Sequence, residues 1–199
     1  MAGKEKSEVR LGLEAFIAST AEKLASKIEG DLLEIGSTQH GYNKGTFLHH
    51  GFKGNFILSD CVSWGPGTIV VDATDMKQFS DNTFGAIVAT DVMEHIYEVR
   101  KSISEMYRVL KPNGILISTT PFKYMLHRDT RLRNIPNLAE LGLEEAVRID
   151  RTTWTDYFRL TPAFYFRALQ EAGFKPENIE ISSSGKSQNP DGVYVVAKK

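Results

Sequence analysis

The chain has a single cysteine, no long apolar run, almost no net charge and no internal repeat, and each shortage removes a class of protein. A lone Cys61 builds neither a disulfide framework nor a cysteine-based zinc site, which is compatible with a reducing compartment. No stretch approaches the roughly 20 apolar residues of a membrane span, and the polar opening MAGKEKSE has no signal-peptide core. Lys and Arg number 24 against 25 Asp and Glu, with no basic run, so a nucleic-acid partner is not expected. What is present is ordinary globular composition: 199 residues, 41% hydrophobic, enough for one substantial core. The expectation is a soluble, cytoplasmic protein with no membrane span, a single domain over residues 1–199, complete from its opening methionine to its last strands.

Hydrophobic spacing supplies the elements. Val9, Leu13, Phe16, Ile17, Leu24 and Ile28 trace one helical face, with Gly30 placed to end it. Apolar runs follow at 32–35, 56–58 and 68–71, the second ending at Ser59 and Asp60 and the third at Asp72, Ala73, Thr74 and Asp75. Only the Gly65-Pro66-Gly67 turn leads into the third run, so the usual helical crossover is abbreviated or replaced by a loop. A fourth strand is expected at 84–90, and Val92, Ile96, Val99, Ile103, Met106 and Leu110 predict one helix after it, stopped by Pro112-Asn113-Gly114. A fifth strand follows at 115–119, ending at Pro121.

Residues 122–161 break the alternation with clustered Arg, Asp, His, Tyr and Trp, and read as a lid-like insertion with a short helical signal at 138–147. Thr161, Pro162 and Gly173 bracket a last helix. Strands at 179–182 and 193–197 close the chain, joined by a polar loop with Asn189-Pro190-Asp191-Gly192. The fold class is therefore α/β, a doubly wound, mostly parallel Rossmann-like sheet with an antiparallel C-terminal strand and helices on both faces.

Several strand-end phrases, taken together, resemble the class I S-adenosylmethionine-dependent methyltransferases, in a compact type 11-like subgroup. LLEIGS is similar to the family's first nucleotide-binding motif, FILSD to its ribose-acid strand and VVDATDM to its adenine-contacting segment. FSDNTFGAIVATDVMEHI and EMYRVLKPNGILISTTPF resemble its fourth-strand motif and the following helix, turn and strand; DYFRLTPAFYFRALQEAGF resembles the subgroup's tail. Two positions depart from the family pattern. Thr38 stands where a second loop glycine is usual, and Gly85 where the fourth strand usually has an acid.

The resemblance implies S-adenosylmethionine as cofactor, with S-adenosylhomocysteine as product, and assigns roles. Asp60 would accept from the ribose hydroxyls, Asp72 and the Ala73 backbone would read the adenine edge, and Thr90 would line the cofactor side. Gly36 and Ser37 would turn backbone N–H groups toward the methionine portion, while Glu34 would orient that loop or take the ammonium group. For catalysis the candidates are His127, His95 and Asp91, since an oxygen or nitrogen nucleophile needs a base. His95 could equally pack or cap the next helix, and Asp91 could cap the segment beginning at Val92.

Tyr124, Trp154, Asp156, Tyr157 and Arg159 are the substrate-side candidates; the last three could equally form a hydrogen-bond network at a helix entry. Arg128, Arg131 and Arg133 could greet an anionic acceptor or form a solvated face. His49 and His50 lack a third ligand in local spacing, so no metal is expected and metal-independent transfer is the default. The implied activity is O-methylation of a small-molecule or glycan acceptor by a monomer or homodimer. Two rivals are a noncatalytic module that binds the same cofactor and a nicotinamide-dependent oxidoreductase. The second is disfavoured because no full G-x-G-x-x-G follows the first strand.

Overall fold

A computed structural model describes residues 8–38, 40–123, 156–186 and 189–199. They form a seven-stranded sheet in the order β3-β2-β1-β4-β5-β7-β6. The strands are β1 (Leu32–Ile35), β2 (Phe56–Asp60), β3 (Thr68–Val70), β4 (Phe84–Thr90), β5 (Leu110–Pro121), β6 (Ile179–Lys186) and β7 (Asn189–Lys198). Strands β1 to β5 run parallel, and β7 lies antiparallel between β5 and β6. The helices are α1 (Glu8–Leu24), α2 (Lys44–His49), α3 (Val99–Val109) and α4 (Pro162–Ala172). None of the helices described is long and apolar enough to cross a membrane.

Both sheet faces are buried, which explains the nearly continuous apolar strands. Because side chains alternate, Leu33, Ile35, Ile87, Ala89, Leu116 and Val195 pack on one face with Ile103, Met106, Tyr165 and Leu169 of α3 and α4. Leu32, Ala86, Val88 and Ile117 pack on the other with Leu13, Ile17 and Ala21 of α1 and Phe47 of α2. The four-residue spacing Leu13, Ile17, Ala21, Ala25 forms the buried stripe of the first segment, and Phe16 stacks on Tyr194 at 4.9 Å. Thr161 Oγ1 accepts from Phe164 N at 3.1 Å to open α4, and Gly173 at φ +117° closes it, as the sequence predicts.

The short connection between β2 and β3 works because the two strands overlap by only three residue pairs, Leu58 with Thr68 through Asp60 with Val70. Residues 61–67 therefore retrace only about 10 Å of strand, and a loop suffices where a long parallel overlap would need a crossover helix.

Three boundaries differ from expectation. The α1 helix ends at Leu24 and tightens into a 3₁₀ turn, Ala25–Lys27, before Gly30 turns the chain into β1 at φ +98°. The face from Val92 to Leu110 is not one helix: Asp91 sits at φ +52°, Met93–His95 is a 3₁₀ turn, and Ile96 is extended before α3 starts at Val99. Leu110 already belongs to β5, pairing with Phe84, and a register shift across 111–114 precedes the pairing of Ile115 with Ala86. Finally, Asn189-Pro190-Asp191-Gly192 lies inside β7 rather than in a loop. A register shift between Ser184 and Gly185 lets Pro190 pair with Gly185, and the Asp191 carbonyl accepts from Phe122 N and Lys123 N. The 138–147 helical signal and most of the lid-like stretch, 124–155, lie outside the described residues.

Candidate active site at the carboxyl edge of the sheet

From β1 the strand order runs outward to β2 and β3 on one side and to β4 and β5 on the other. The crevice at the carboxyl ends of β1 and β4 is therefore the topological switch point, where open α/β sheets bind ligands. The chain turns out of β1 at Gly36, with φ +74°, and a Cβ there would collide with the Val92 side chain. Only glycine lets the β1 loop lie this close to the segment after β4. Thr38 adopts φ +52°, so threonine holds the backbone conformation that a glycine would adopt freely.

Gly85 has a different explanation. It lies at the amino end of β4, opposite the crevice, where an added Cβ would run into the Glu29 carbonyl. Its amide donates to Asp31 O at 2.8 Å, so close packing of the chain leading into β1 excludes the acid there.

Glu34 is fully buried on β1. Its Oε1 accepts from Tyr42 N (3.1 Å), Asn43 N (3.0 Å) and Asn43 Nδ2 (2.6 Å), and the same amide nitrogen donates to Thr90 Oγ1 at 3.1 Å. Glu34 thus fixes the entry to α2 and, through Asn43, ties β1 to the tip of β4. Its Oε2 has no hydrogen-bond partner among the described residues. Burial pushes the carboxyl up to about 7, against the lowering effect of the three bonds from Asn43 and Tyr42. Loop orientation is therefore seen directly, and an ammonium partner would have to reach Oε2.

Asp60 is buried at the tip of β2, its Oδ1 accepting a long bond from Val62 N at 3.3 Å. Asp72 is exposed just beyond β3, and its Oδ1 accepts from Thr74 N (2.8 Å) and Thr74 Oγ1 (2.7 Å), while Ala73 beside it is buried. One detail is corrected: the Ser37 amide does not face the crevice, because it donates to Ser59 O at 3.0 Å and closes the β1 loop onto β2. A strand-tip carboxylate, a glycine turn at the switch point and a carboxyl oxygen without a partner make a donor and acceptor set that fits an adenosine-bearing cofactor with an amino-acid end.

Beyond β4, Asp91 N donates to Thr119 O (2.9 Å) and Thr119 Oγ1 donates to Asp91 Oδ1 (3.0 Å). The side chain thus locks the tips of β4 and β5 together, and no side-chain cap opens the turn at Val92. His95 Nδ1 lies 3.1 Å from Asp156 Oδ1, and Asp156 Oδ2 accepts from Arg159 Nη2 at 2.9 Å. The Asp156 side chain is fully buried, whereas that of His95 retains 19% exposure. Glu94 is also fully buried, with its Oε1 3.7 Å from His95 Nε2 and neither oxygen hydrogen-bonded among the described residues. Burial, reinforced by the Asp91 and Asp156 carboxylates, holds the Glu94 carboxyl well above the usual range. Tyr157 N donates to Glu94 O at 2.8 Å, which docks the segment before α4 against the β4 tip.

The structure therefore brings His95, Asp156, Tyr157 and Arg159 together, with Asp91 in the preceding turn. Tyr124, His127, Trp154, Arg128, Arg131 and Arg133 lie outside the described residues. His49 and His50 pack edge to face at 5.0 Å, and the candidate cation ligands among the described residues are Glu94, His95 and Asp156. Beside this set an open groove of about 720 Å³ is lined by Tyr97, Arg100, Tyr157, Phe158, Arg159 and Phe164, among others. Sequence reasoning missed Asn43, Thr119 and Glu94. Glu94 alone left a signal, as an acid directly before the histidine in DVMEHI.

The comparisons with known proteins agree with this fold. Residues 58–118 match the family model of a methyltransferase domain. A curated relative, phosphoethanolamine N-methyltransferase 2 of Caenorhabditis elegans, is 28% identical over 112 residues, which are 51% of this chain and 24% of the relative. The crystal structure of the CurJ carbon methyltransferase superposes with a TM-score of 0.64 at 17% identity, covering 98% of this chain and 56% of that one. Haemonchus contortus phosphoethanolamine N-methyltransferase 2, solved in complex with S-adenosyl-L-methionine, gives 0.62 at 16% identity, covering 93% and 52%. The chain thus matches about a quarter of the length of that curated relative and spans about half of each of these two structures.

The fold is that of the class I methyltransferases. Strand order and the match over residues 58–118 are those of a methyltransferase domain, the class whose members use S-adenosylmethionine.

Proposed function

We propose that this domain transfers the methyl group of S-adenosylmethionine to an oxygen of a small-molecule or sugar acceptor, with His95 taking the acceptor's proton. The observation that carries the reading is the His95–Asp156 pair at the tip of β4, 3.1 Å apart and backed by Arg159. A carboxylate on Nδ1 fixes the tautomer that leaves a lone pair on Nε2, the arrangement of an oriented general base. When bound, S-adenosylmethionine supplies an electrophilic methyl on a sulfonium. Asp60 would hold the ribose hydroxyls, Asp72 and Ala73 the adenine edge, Gly36 and Glu34 the amino-acid end, and Thr90 the wall between cofactor and acceptor. Tyr157 and Arg159 border the acceptor side, where the rings of Tyr97 and Phe158 offer stacking faces for a sugar or an aromatic acceptor. Asp91 acts through Thr119 as a positioning residue for the turn that carries His95.

The test has two stages. Calorimetric titration with S-adenosylmethionine and S-adenosylhomocysteine should show binding that weakens at least tenfold in Asp60→Ala. S-adenosylhomocysteine release is then followed over a panel of monosaccharides, phenols and phosphoethanolamine, the last included because of the curated relative. His95→Gln should retain cofactor binding and lose roughly 10²-fold or more in turnover, the usual contribution of a positioned base. Cofactor binding without turnover on any acceptor would select the noncatalytic module, and turnover on phosphoethanolamine alone would move the acceptor atom to nitrogen.

A further inference from the structure

We infer that Glu94 and His95 form a divalent-cation site at the tip of β4, with Asp156 orienting the histidine from behind. The first observation is the grouping itself: Glu94, His95 and Asp156 each offer a ligand atom within 4.8 Å of the other two. The second is independent of it. Glu94 has no solvent exposure and neither carboxylate oxygen has a hydrogen-bond partner among the described residues. A buried carboxyl with no hydrogen-bond partner is costly to maintain as a carboxylate, and burial with the charges of Asp91 and Asp156 outweighs the opposing pull of its own backbone N–H and of Arg159. Among the described residues Arg159 supplies opposing positive charge, and its Nη2 already donates to Asp156 Oδ2 at 2.9 Å.

The distances suit a metal. His95 Nε2 and Glu94 Oε1 are 3.7 Å apart, and bonds of about 2.0–2.2 Å from each bridge that gap without moving either side chain. The Nδ1 to Asp156 contact at 3.1 Å then reproduces the carboxylate–histidine–metal arrangement, in which the outer carboxylate fixes the tautomer and makes the coordinating nitrogen more basic. One imidazole with carboxylate oxygens favours a borderline ion such as Mn²⁺ or Zn²⁺ over Ca²⁺. With two protein ligands, the remaining positions are left to water and to an acceptor oxygen. The 19% exposure of the His95 side chain shows that the site has an open side.

The inference rests on the proposed function only in placing the acceptor at this strand tip. An ion on Nε2 occupies the lone pair that serves as base in the ion-free chain, so His95 is a base without the ion and a ligand with it. In the loaded protein the acceptor hydroxyl would bind the ion, lose its proton to solvent and attack the methyl as an alkoxide-like oxygen. The C–O bond forms as the C–S bond breaks toward sulfur.

The experiment is titration of the chelator-treated full chain with MnCl₂, followed by electron paramagnetic resonance and by calorimetry, with and without S-adenosylmethionine. One Mn²⁺ per chain is expected, with nitrogen hyperfine coupling from the imidazole. Affinity should fall at least tenfold in Glu94→Gln and in His95→Gln, by 10- to 100-fold in Asp156→Asn, and not at all in Asp75→Asn. No saturable binding up to millimolar Mn²⁺, or binding unchanged in both ligand variants, would overturn the inference. Should Glu94→Gln fail to fold, the hyperfine coupling in the wild-type chain and the His95→Gln titration still decide it. Failure of the methyltransferase reading shows separately, as absent S-adenosylmethionine binding in a chain that does bind Mn²⁺.

Discussion

Replacing Glu34 with Gln isolates the effect of a buried carboxyl whose value burial has pushed from 4.5 up to about 7. Between these values the unfolded chain has released its proton while the folded chain keeps it. Stability therefore falls as pH rises through this window, by up to about 1.4 kcal/mol per pH unit, and levels off above about 7. Integrated from pH 5 to pH 8, the loss is about 2.5 kcal/mol. The Gln amide oxygen can still accept from Tyr42 N, Asn43 N and Asn43 Nδ2, but it carries no titrating proton. The difference in stability between Glu34→Gln and wild type should shift by about 2.5 kcal/mol in favour of the variant from pH 5 to pH 8. Urea unfolding followed by circular dichroism at several pH values measures it, and every other titrating group cancels in the difference. A difference that stays constant within ~0.5 kcal/mol would refute the reasoning. A second readout bears on ligand binding: an ammonium seated on Oε2 would ionise Glu34, so S-adenosylmethionine binding near pH 7 would release a proton and show buffer-dependent heat.

Gly36→Ala should lose roughly 2 kcal/mol or more, because the left-handed φ and the collision with Val92 act together; thermal unfolding and cofactor titration check it. Arg108→Met should cost roughly 2–3 kcal/mol in urea unfolding. The guanidinium makes two bonds to Glu105 at 2.8 Å, one to Asp81, and one each to the carbonyls of Phe79 and Met76, so it pins the connection between β3 and β4 to α3. Lys199→Met should cost about 1 kcal/mol in the same assay, since its Nζ caps the carboxyl end of α3 at Tyr107 O and Leu110 O, both 2.8 Å.

Local rules were legible where one segment decides its own conformation. The caps of α4 follow from Thr161, Pro162 and Gly173, and the β2–β3 shortcut from a glycine-proline turn between apolar runs. Misreadings fell where a distant partner overrides the local pattern. Helical spacing from Val92 to Leu110 is real, but Thr119 holds the Asp91 backbone, and pairing with Phe84 draws Leu110 into β5. The polar run at 189–192 looks like a loop until Gly185 and its bulge give Pro190 a strand partner.

The sequence by itself determined the α/β class, the strand tips and the acids standing on them, because hydrophobic period and turn residues are local properties of the chain. It also held the candidate histidine, though not what that histidine does. Only the tertiary structure decided that Asp156, 61 positions further on, lies 3.1 Å from His95 Nδ1. It alone showed Glu34 tied through Asn43 to Thr90, and Glu94 sealed in without a hydrogen-bond partner among the described residues. Burial and tertiary pairing depend on what the rest of the chain packs against a residue, and residue type and spacing do not encode that.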